Sequence, residues 1–181
     1  MIVELRNKKE VFLRTLVSTD AEQLYQYLTH LSSESLSRFG PHAFDKEAIN
    51  NICSSLNPAT KRYIAIDTMN ESIIAYMLIQ QGMIESDEQR YANRLQYFDT
   101  AKTVTFAPSV ADEWQSAGLG TLMNNAIESE LKKKEISKIV LWGGVQADNL
   151  KAVNYYKKLN YQIIDMFWHD GKNNYDMVKD L

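Results

Sequence analysis

The stretch KTVTFAPSVADEWQSAGLGTLMNNAIESELKKK, residues 102–134, decides the fold. Residues Lys102 to Val110 carry the β-branched and aromatic side chains of a strand. The strand runs into a turn bearing Gly118 and Gly120, after which Leu119, Leu122, Met123, Ala126, Ile127 and Leu131 make one apolar helical stripe. Lys132 to Lys134 suit the negative end of that helix's dipole. A strand feeding a glycine-bearing turn into a helix is an anion site: the first helix amides lack intrahelical partners and the dipole puts partial positive charge there. ATP, a dinucleotide or the pyrophosphate of coenzyme A could each fit such a turn. A Walker loop needs Lys before its Ser/Thr, yet Gly120 precedes Thr121. A dinucleotide fingerprint needs a third small residue where Met123 stands, and an acidic residue after the next strand, which ends Leu141-Trp142. What remains is Gln-x-x-Gly-x-Gly, a short pattern with many chance matches.

C-terminal to this unit, Ile136 to Trp142 reads as a strand bounded by Gly143-Gly144. Asp148-Asn149 opens a helix with Ala152, Tyr155, Tyr156 and Leu159 on one side, and Asn160 stands where a helix ends in left-handed geometry. Tyr161 to His169 and Asn174 to Val178 form a hairpin about Asp170-Gly171-Lys172-Asn173. N-terminal to it, Tyr63 to Asp67 and Ser72 to Gln80 are strands, and the polar segment Glu85 to Asp99 is a short helix or a long hairpin loop. As a solvated insertion it would only patch the core edge with its aromatics; the other reading makes it a substrate wall. Ile2 to Leu5 and Val11 to Leu16 pair as a hairpin. A capping-box pattern at Thr19-Asp20-Ala21-Glu22 opens a helix with Ala21, Leu24, Tyr25, Leu28 and Leu31 inward. A second helix carries Ala48, Ile49, Ile52, Cys53 and Leu56 and stops at Asn57-Pro58.

The 181 residues, 45% hydrophobic and 24% charged, suit a single domain over 1–181. A net charge of −3 gives no basic field for nucleic acid or anionic lipid. No apolar run approaches the roughly 20 residues that span a bilayer, and Met1 to Glu10 is not a signal peptide. The single cysteine, Cys53, on an apolar helix face, reads as a core thiol and suits a reducing compartment, so the chain is expected in the cytoplasm. His30, His42 and His169 show no ligand spacing, so no metal is expected.

Residues Val110 to Gly120, VADEWQSAGLG, followed one helix and one strand later by Asn149-x-x-Ala152-x-x-Tyr155-Tyr156-x-x-x-Asn160-Tyr161, resemble the GCN5-related N-acetyltransferase (GNAT) family over roughly Lys102 to Tyr161. The resemblance implies an α/β fold of the GNAT acyl-CoA N-acyltransferase type. Its mixed twisted sheet has about six to seven strands with helices on both faces, and two parallel strands splay apart to admit a pantetheine arm. It implies acetyl-CoA as co-substrate. Gln115, Ser116, Ala117, Gly118, Leu119, Gly120 and Thr121 would hold its pyrophosphate, Val110 would pair with the pantetheine, and Asn149 and Tyr155 would touch the cofactor from the other side. Tyr156 would be the general acid at the thioester sulfur. The chain departs from the family pattern at Gln115, where arginine is common, at Asn160, where glycine is usual, and at Thr103 and Thr105, where many members have a glutamate base.

Acetyl transfer needs a neutral amine, and an amine of pKa about 10.4 costs roughly 4–5 kcal/mol to deprotonate at pH 7. A positioned phenol that protonates the departing thiolate typically contributes about 10²–10⁴ in rate. Asp99, Asp112 and Glu113 are the carboxylates near the strand. The acceptor would be a small-molecule amine or a protein lysine. Arg38 to His42, between the first two helices, is a candidate wall for it, and Trp114 either shields the cofactor or anchors the turn. The rival reading, motivated by the missing glutamate, is a non-catalytic acyl-CoA-binding regulatory module with the same fold.

Overall fold

The computed structural model describes residues 1–181 and divides into two compact units, one of Met1–Ile79 with Ala107–Ala126, the other of Gln80–Phe106 with Ile127–Leu181. In the first, β1 (Ile2–Glu4), β2 (Glu10–Thr15) and β3 (Thr60–Asp67) form an antiparallel meander, with Ile2 opposite Phe12 and Phe12 opposite Ile66. β4 (Ile73–Gln81) follows β3 in the sheet, and its run Ile73 to Ile79 is buried without interruption. Such a run reads as a strand covered on both faces. The helices α1 (Ala21–His30), α2 (Ser33–Leu36) and α3 (Lys46–Ser54) contribute Leu24, Leu28, Ile49 and Cys53 to the core.

The expected capping box of Thr19 and Glu22 is not made: no side chain caps α1, and Glu22 pairs with Lys46 and Gln26. The carboxylate of Asp20 is taken by Arg14, whose two terminal nitrogens donate to it at 2.6 and 2.7 Å, and by the Val17 amide at 2.8 Å, so α1 starts from a 3-10 turn instead. That start turns Tyr27 inward beside Leu24 and Leu28, whereas Tyr25, expected inside, lies half-buried beneath the Lys46 ammonium. α2, a single turn, has too few residues for a periodicity to reveal.

In the second unit, the first half of β5 (Thr103–Val110) runs parallel to β6 (Lys138–Leu141), from Thr103 opposite Lys138 to Phe106 opposite Leu141. The ladder closes with the Trp142 amide donating to the Phe106 carbonyl. Gly143 and Gly144, both at positive φ, then turn the chain into β7 (Val145–Gln146). This two-residue strand pairs with β9 (Lys172–Asp180), which also pairs antiparallel with β6 and with β8 (Gln162–His169). The strand order runs β1-β2-β3-β4-β5-β6-β9-β7, with β8 on β9. These nine strands replace the six or seven expected, the excess coming from segments too short to show alternation. The β8–β9 turn is Asp170-Gly171 at φ +48° and +74°, the primed two-residue geometry that right-twisted strands favour. α5 (Leu119–Lys133) and α6 (Leu150–Lys158) complete the elements already expected.

The Glu85–Asp99 segment contains α4 (Glu85–Ala92). It is tied in by charge: Arg90 donates to Asp176 and to Asp87, Arg94 donates to Asp176, and Asp87 accepts the Gly143 amide at 2.9 Å. Both carboxylates are fully buried, and Tyr91 packs in a core with Val140 and Val178.

Candidate active site

The end of β5 is held by the Ala111 amide on the Ile74 carbonyl, after which Asp112–Trp114 make a 3-10 turn. Trp114 is buried with the Lys9 ammonium 4.2 Å above its ring, so it anchors the turn. Gln115 folds back and its Nε2 donates to the Val110 carbonyl at 3.1 Å, which joins two of the predicted residues. Ser116 and Gly118 adopt φ of +64° and +90°, and this pair of left-handed turns delivers the chain to α5 at Leu119. The first helical bond runs from the Leu122 amide to the Gly118 carbonyl, so the amides of Leu119, Gly120 and Thr121 precede the helix's own ladder. A side chain on Gly118 would meet nothing within 4 Å, so the space beside that residue is open. Leu119 is buried and seats the helix, while Ala117 and Gly120 are half-buried and Thr121 exposed.

Asp112 is not a free base. Burial raises its carboxyl, but the Ser35 hydroxyl at 2.6 Å and the Ser32 amide and hydroxyl at 2.9 and 3.1 Å together hold it below the usual range. These bonds tie the α1–α2 junction to the turn before Gln115. Asp99 caps a 3-10 turn through the Ala101 amide. Thr103 and Thr105 are buried, and the Thr105 hydroxyl donates to the Gly82 carbonyl at 2.8 Å.

In the second unit, Asn149 caps α6 by accepting the Ala152 amide at 3.2 Å. The helix closes with Asn160 at φ +67°, the Asn160 amide on Lys157 and the Tyr161 amide on Tyr156. That double bond is the Schellman closure, for which asparagine substitutes the usual glycine. Tyr156 is buried between the rings of Tyr155 and Tyr161, at 5.2 and 5.4 Å, and burial, then its Tyr155 neighbour, pushes its phenol well above the ordinary value. A phenol so placed stays protonated at neutral pH. Tyr155 is pushed up likewise, by burial and by Glu128. Its hydroxyl and that of Tyr161 are buried without a hydrogen-bond partner, and Lys179, paired with Glu128, stands 5.9 Å from the Tyr161 ring. Val110 to Thr121 thus lie together in one unit and Asn149 to Tyr156 in the other.

Two features were not legible from sequence. One is the seat that Ser32 and Ser35 give Asp112. The other is that Phe39 and His42, from the segment marked as a candidate wall, meet Phe44 and Tyr76 in one ring cluster. The spacing Phe39-x-x-His42-x-Phe44 was its only signal. No group of three His, Cys, Asp or Glu side chains gathers to hold a metal, and no helix is long and apolar enough to cross a membrane.

The family model described as "Acetyltransferase (GNAT) family" matches residues 25–161. Comparison with curated proteins finds no match. Among solved structures, the GNAT domain of S. lividans PAT superposes with a TM-score of 0.77 at 18% identity, covering 100% of this chain and 96% of that one. Arabidopsis thaliana NAA60, solved in complex with acetyl-CoA, superposes at 0.68 with 16% identity, over 94% of this chain and 98% of its own. The aminoglycoside acetyltransferase AAC(6')-Ib, solved with coenzyme A, gives 0.68 at 20% identity, over 94% of both chains.

Proposed function

We propose, from the premise that this chain belongs to the acetyltransferase (GNAT) family, that it is an N-acetyltransferase passing acetyl from acetyl-CoA directly to a primary amine in a ternary complex. The observation that carries the reading is the α5 start. Three amides ahead of the helical ladder, beside a glycine at φ +90° with open space, are the donor set a pyrophosphate requires. In this reading Gln115 to Thr121 hold the pyrophosphate, the Val110 backbone pairs with the pantetheine arm, and Asn149 and Tyr155 flank the cofactor from α6. We read residues 1–181 as one domain, a reading supported by a family match that runs from 25 to 161 through both compact units.

The amine nitrogen attacks the acetyl carbonyl, and collapse of the adduct breaks the C–S bond. Tyr156 gives its phenolic proton to the sulfur, and a water carries the amine proton away. Burial keeps the Tyr156 proton in place but makes the phenol a weaker acid, so the role rests on the residue's match to the family pattern and not on its raised pKa. Asp112 and Asp99 are each committed to amides or hydroxyls, so neither is assigned as base. The acceptor is a small amine or a protein lysine, and a single buried cysteine suits a cytoplasmic enzyme. The absence of a carboxylate at Thr103 and Thr105 favours the second reading, a CoA-binding module without turnover. Thiol release from acetyl-CoA over an amine panel separates the two: Tyr156→Phe should lower kcat at least about tenfold with CoA affinity unchanged. Binding with no release on any amine would leave only the module.

A further inference from the structure

The parallel ladder of β5 with β6 ends at Phe106. Beyond it, side chains of α1 and α2 reach over to residues 109–115, all within the first compact unit. Before Val110, the hydroxyls of Tyr27 on α1 and Ser109 share a buried bond of 2.8 Å. After it, the Asp112 carboxylate accepts the Ser35 hydroxyl at 2.6 Å and the Ser32 amide and hydroxyl at 2.9 and 3.1 Å. Ser32 also caps α2 by accepting the Ser35 amide at 3.2 Å, so one helical turn sets the spacing of the two serines. Asp112 accepts a fourth donor, Gln115 Nε2, at 3.4 Å, and the same nitrogen donates to the Val110 carbonyl at 3.1 Å. Bond length ranks these contacts: the Ser35 bond is short and charge-assisted, the Gln115 bond to Asp112 long. Asp112 is thus anchored on α2 and steadies Gln115, and not the reverse. The carboxylate is exposed, where water would serve it almost as well, so these bonds add little to stability. What they fix is position.

We propose that Asp112 is a positioning residue. Anchored by Ser32 and Ser35, it holds Gln115, and through it the Val110 carbonyl and the turn into α5, in the arrangement that receives CoA. The Tyr27–Ser109 bond fixes the strand on the other side of Val110. The proposal rests on the acetyl-CoA reading and extends it: cofactor affinity is governed from α2 by side chains to which that reading gives no cofactor contact. Without the anchor the turn samples other arrangements, and affinity falls by the fraction that remains competent; a competent fraction of about one tenth weakens CoA about tenfold.

Calorimetric titration of the full chain with CoA, alongside urea unfolding of the same variants, tests this. Asp112→Ala should weaken CoA about tenfold and Ser35→Ala about threefold, while Ser35→Thr, which keeps the hydroxyl, should stay within about twofold of wild type. Adding Ser35→Ala to Asp112→Ala should weaken CoA no further, because the serine acts through the carboxylate. A merely structural tie would lower urea stability and leave the affinity of the folded protein unchanged. Should Asp112→Ala not fold, the Ser35→Ala and Ser35→Thr pair decides alone. Unchanged affinity in the folded variants, or losses that add in the double variant, overturns the proposal while wild-type binding upholds the CoA reading. Wild-type protein that fails to bind CoA overturns both.

Discussion

Replacing Arg90 with methionine should cost about 3 kcal/mol of stability, and the loss should shrink as the solution is made acidic. In the intact protein the Arg90 guanidinium donates to Asp176 at 2.6 and 2.9 Å and to Asp87 at 2.7 Å, and lies 3.8 Å from the centre of the Phe167 ring. Asp176 and Asp87 are both fully buried. Methionine keeps the stem and a contact with the ring but removes every one of these donors. Asp176 then has Arg94 alone at 2.7 Å, and Asp87 has only the Gly143 amide. Removing one partner of a buried pair costs roughly 3–5 kcal/mol, and the surviving Arg94 places this case at the low end. Burial already pushes the Asp87 carboxyl up, against Gly143 and Arg90, and deleting Arg90 removes one of the two opposing influences. A carboxyl whose folded pKa exceeds its unfolded value, about 3.9, takes up a proton on folding. Its stabilising contribution is therefore complete below the unfolded pKa and lost as pH rises through the folded one. Urea titrations at pH 7 and pH 5 measure both effects. A loss under 1 kcal/mol at pH 7, or a deficit that grows on acidification, would refute the assignment of this network as buried charge held by Arg90.

Other perturbations follow from local geometry. Glu135 closes α5 at φ +58°, its amide on the Lys132 carbonyl and the Ile136 amide on Leu131, so Glu135→Gly should raise stability by about 1 kcal/mol in the same titration. Gly144, at φ +72°, would put a new Cβ 2.6 Å from the Tyr175 carbonyl, so Gly144→Ala should lower stability by more than about 2 kcal/mol; a neutral result would contradict the β7–β9 register. The Asp20 carboxyl is raised by burial but more than offset by Arg14 and the Val17 amide, so its folded pKa lies below its unfolded value. Its contribution is present above about pH 4 and lost as pH falls through the folded pKa. Asp20→Asn should therefore cost about 1–2 kcal/mol at pH 7 and flatten the acid limb of the stability profile.

The legible parts of the fold were those with a repeating physical constraint. The α5 stripe of Leu119, Met123, Ile127 and Leu131 is buried as its spacing required, and Asn160 is left-handed as its place after Leu159 required. Where one side chain had two suitors, sequence misled: Thr19 and Glu22 have capping-box spacing, but Lys46 from another helix and Gln26 take the Glu22 carboxylate. α4 was ambiguous because its stability comes from Asp176, 86 residues beyond Arg90, and local propensity carries no trace of such a partner. The turn into α5 was readable as a turn because Gly118, at φ +90°, marks a backbone conformation that glycine favours locally. The ring cluster at His42 was only half-visible, since Tyr76 reaches it from another strand.

The central claim is that the open amides at the start of α5 hold a pyrophosphate. Calorimetric titration of wild-type protein and Gly118→Val with CoA and with pantetheine, which lacks the pyrophosphate, tests it most directly. Wild-type protein should bind CoA and bind pantetheine at least about a hundredfold more weakly, and Gly118→Val, strained at φ +90° and carrying its side chain into the open space, should lose at least about tenfold for CoA alone. Equal affinity of wild-type protein for CoA and pantetheine, or no association with either, would contradict it.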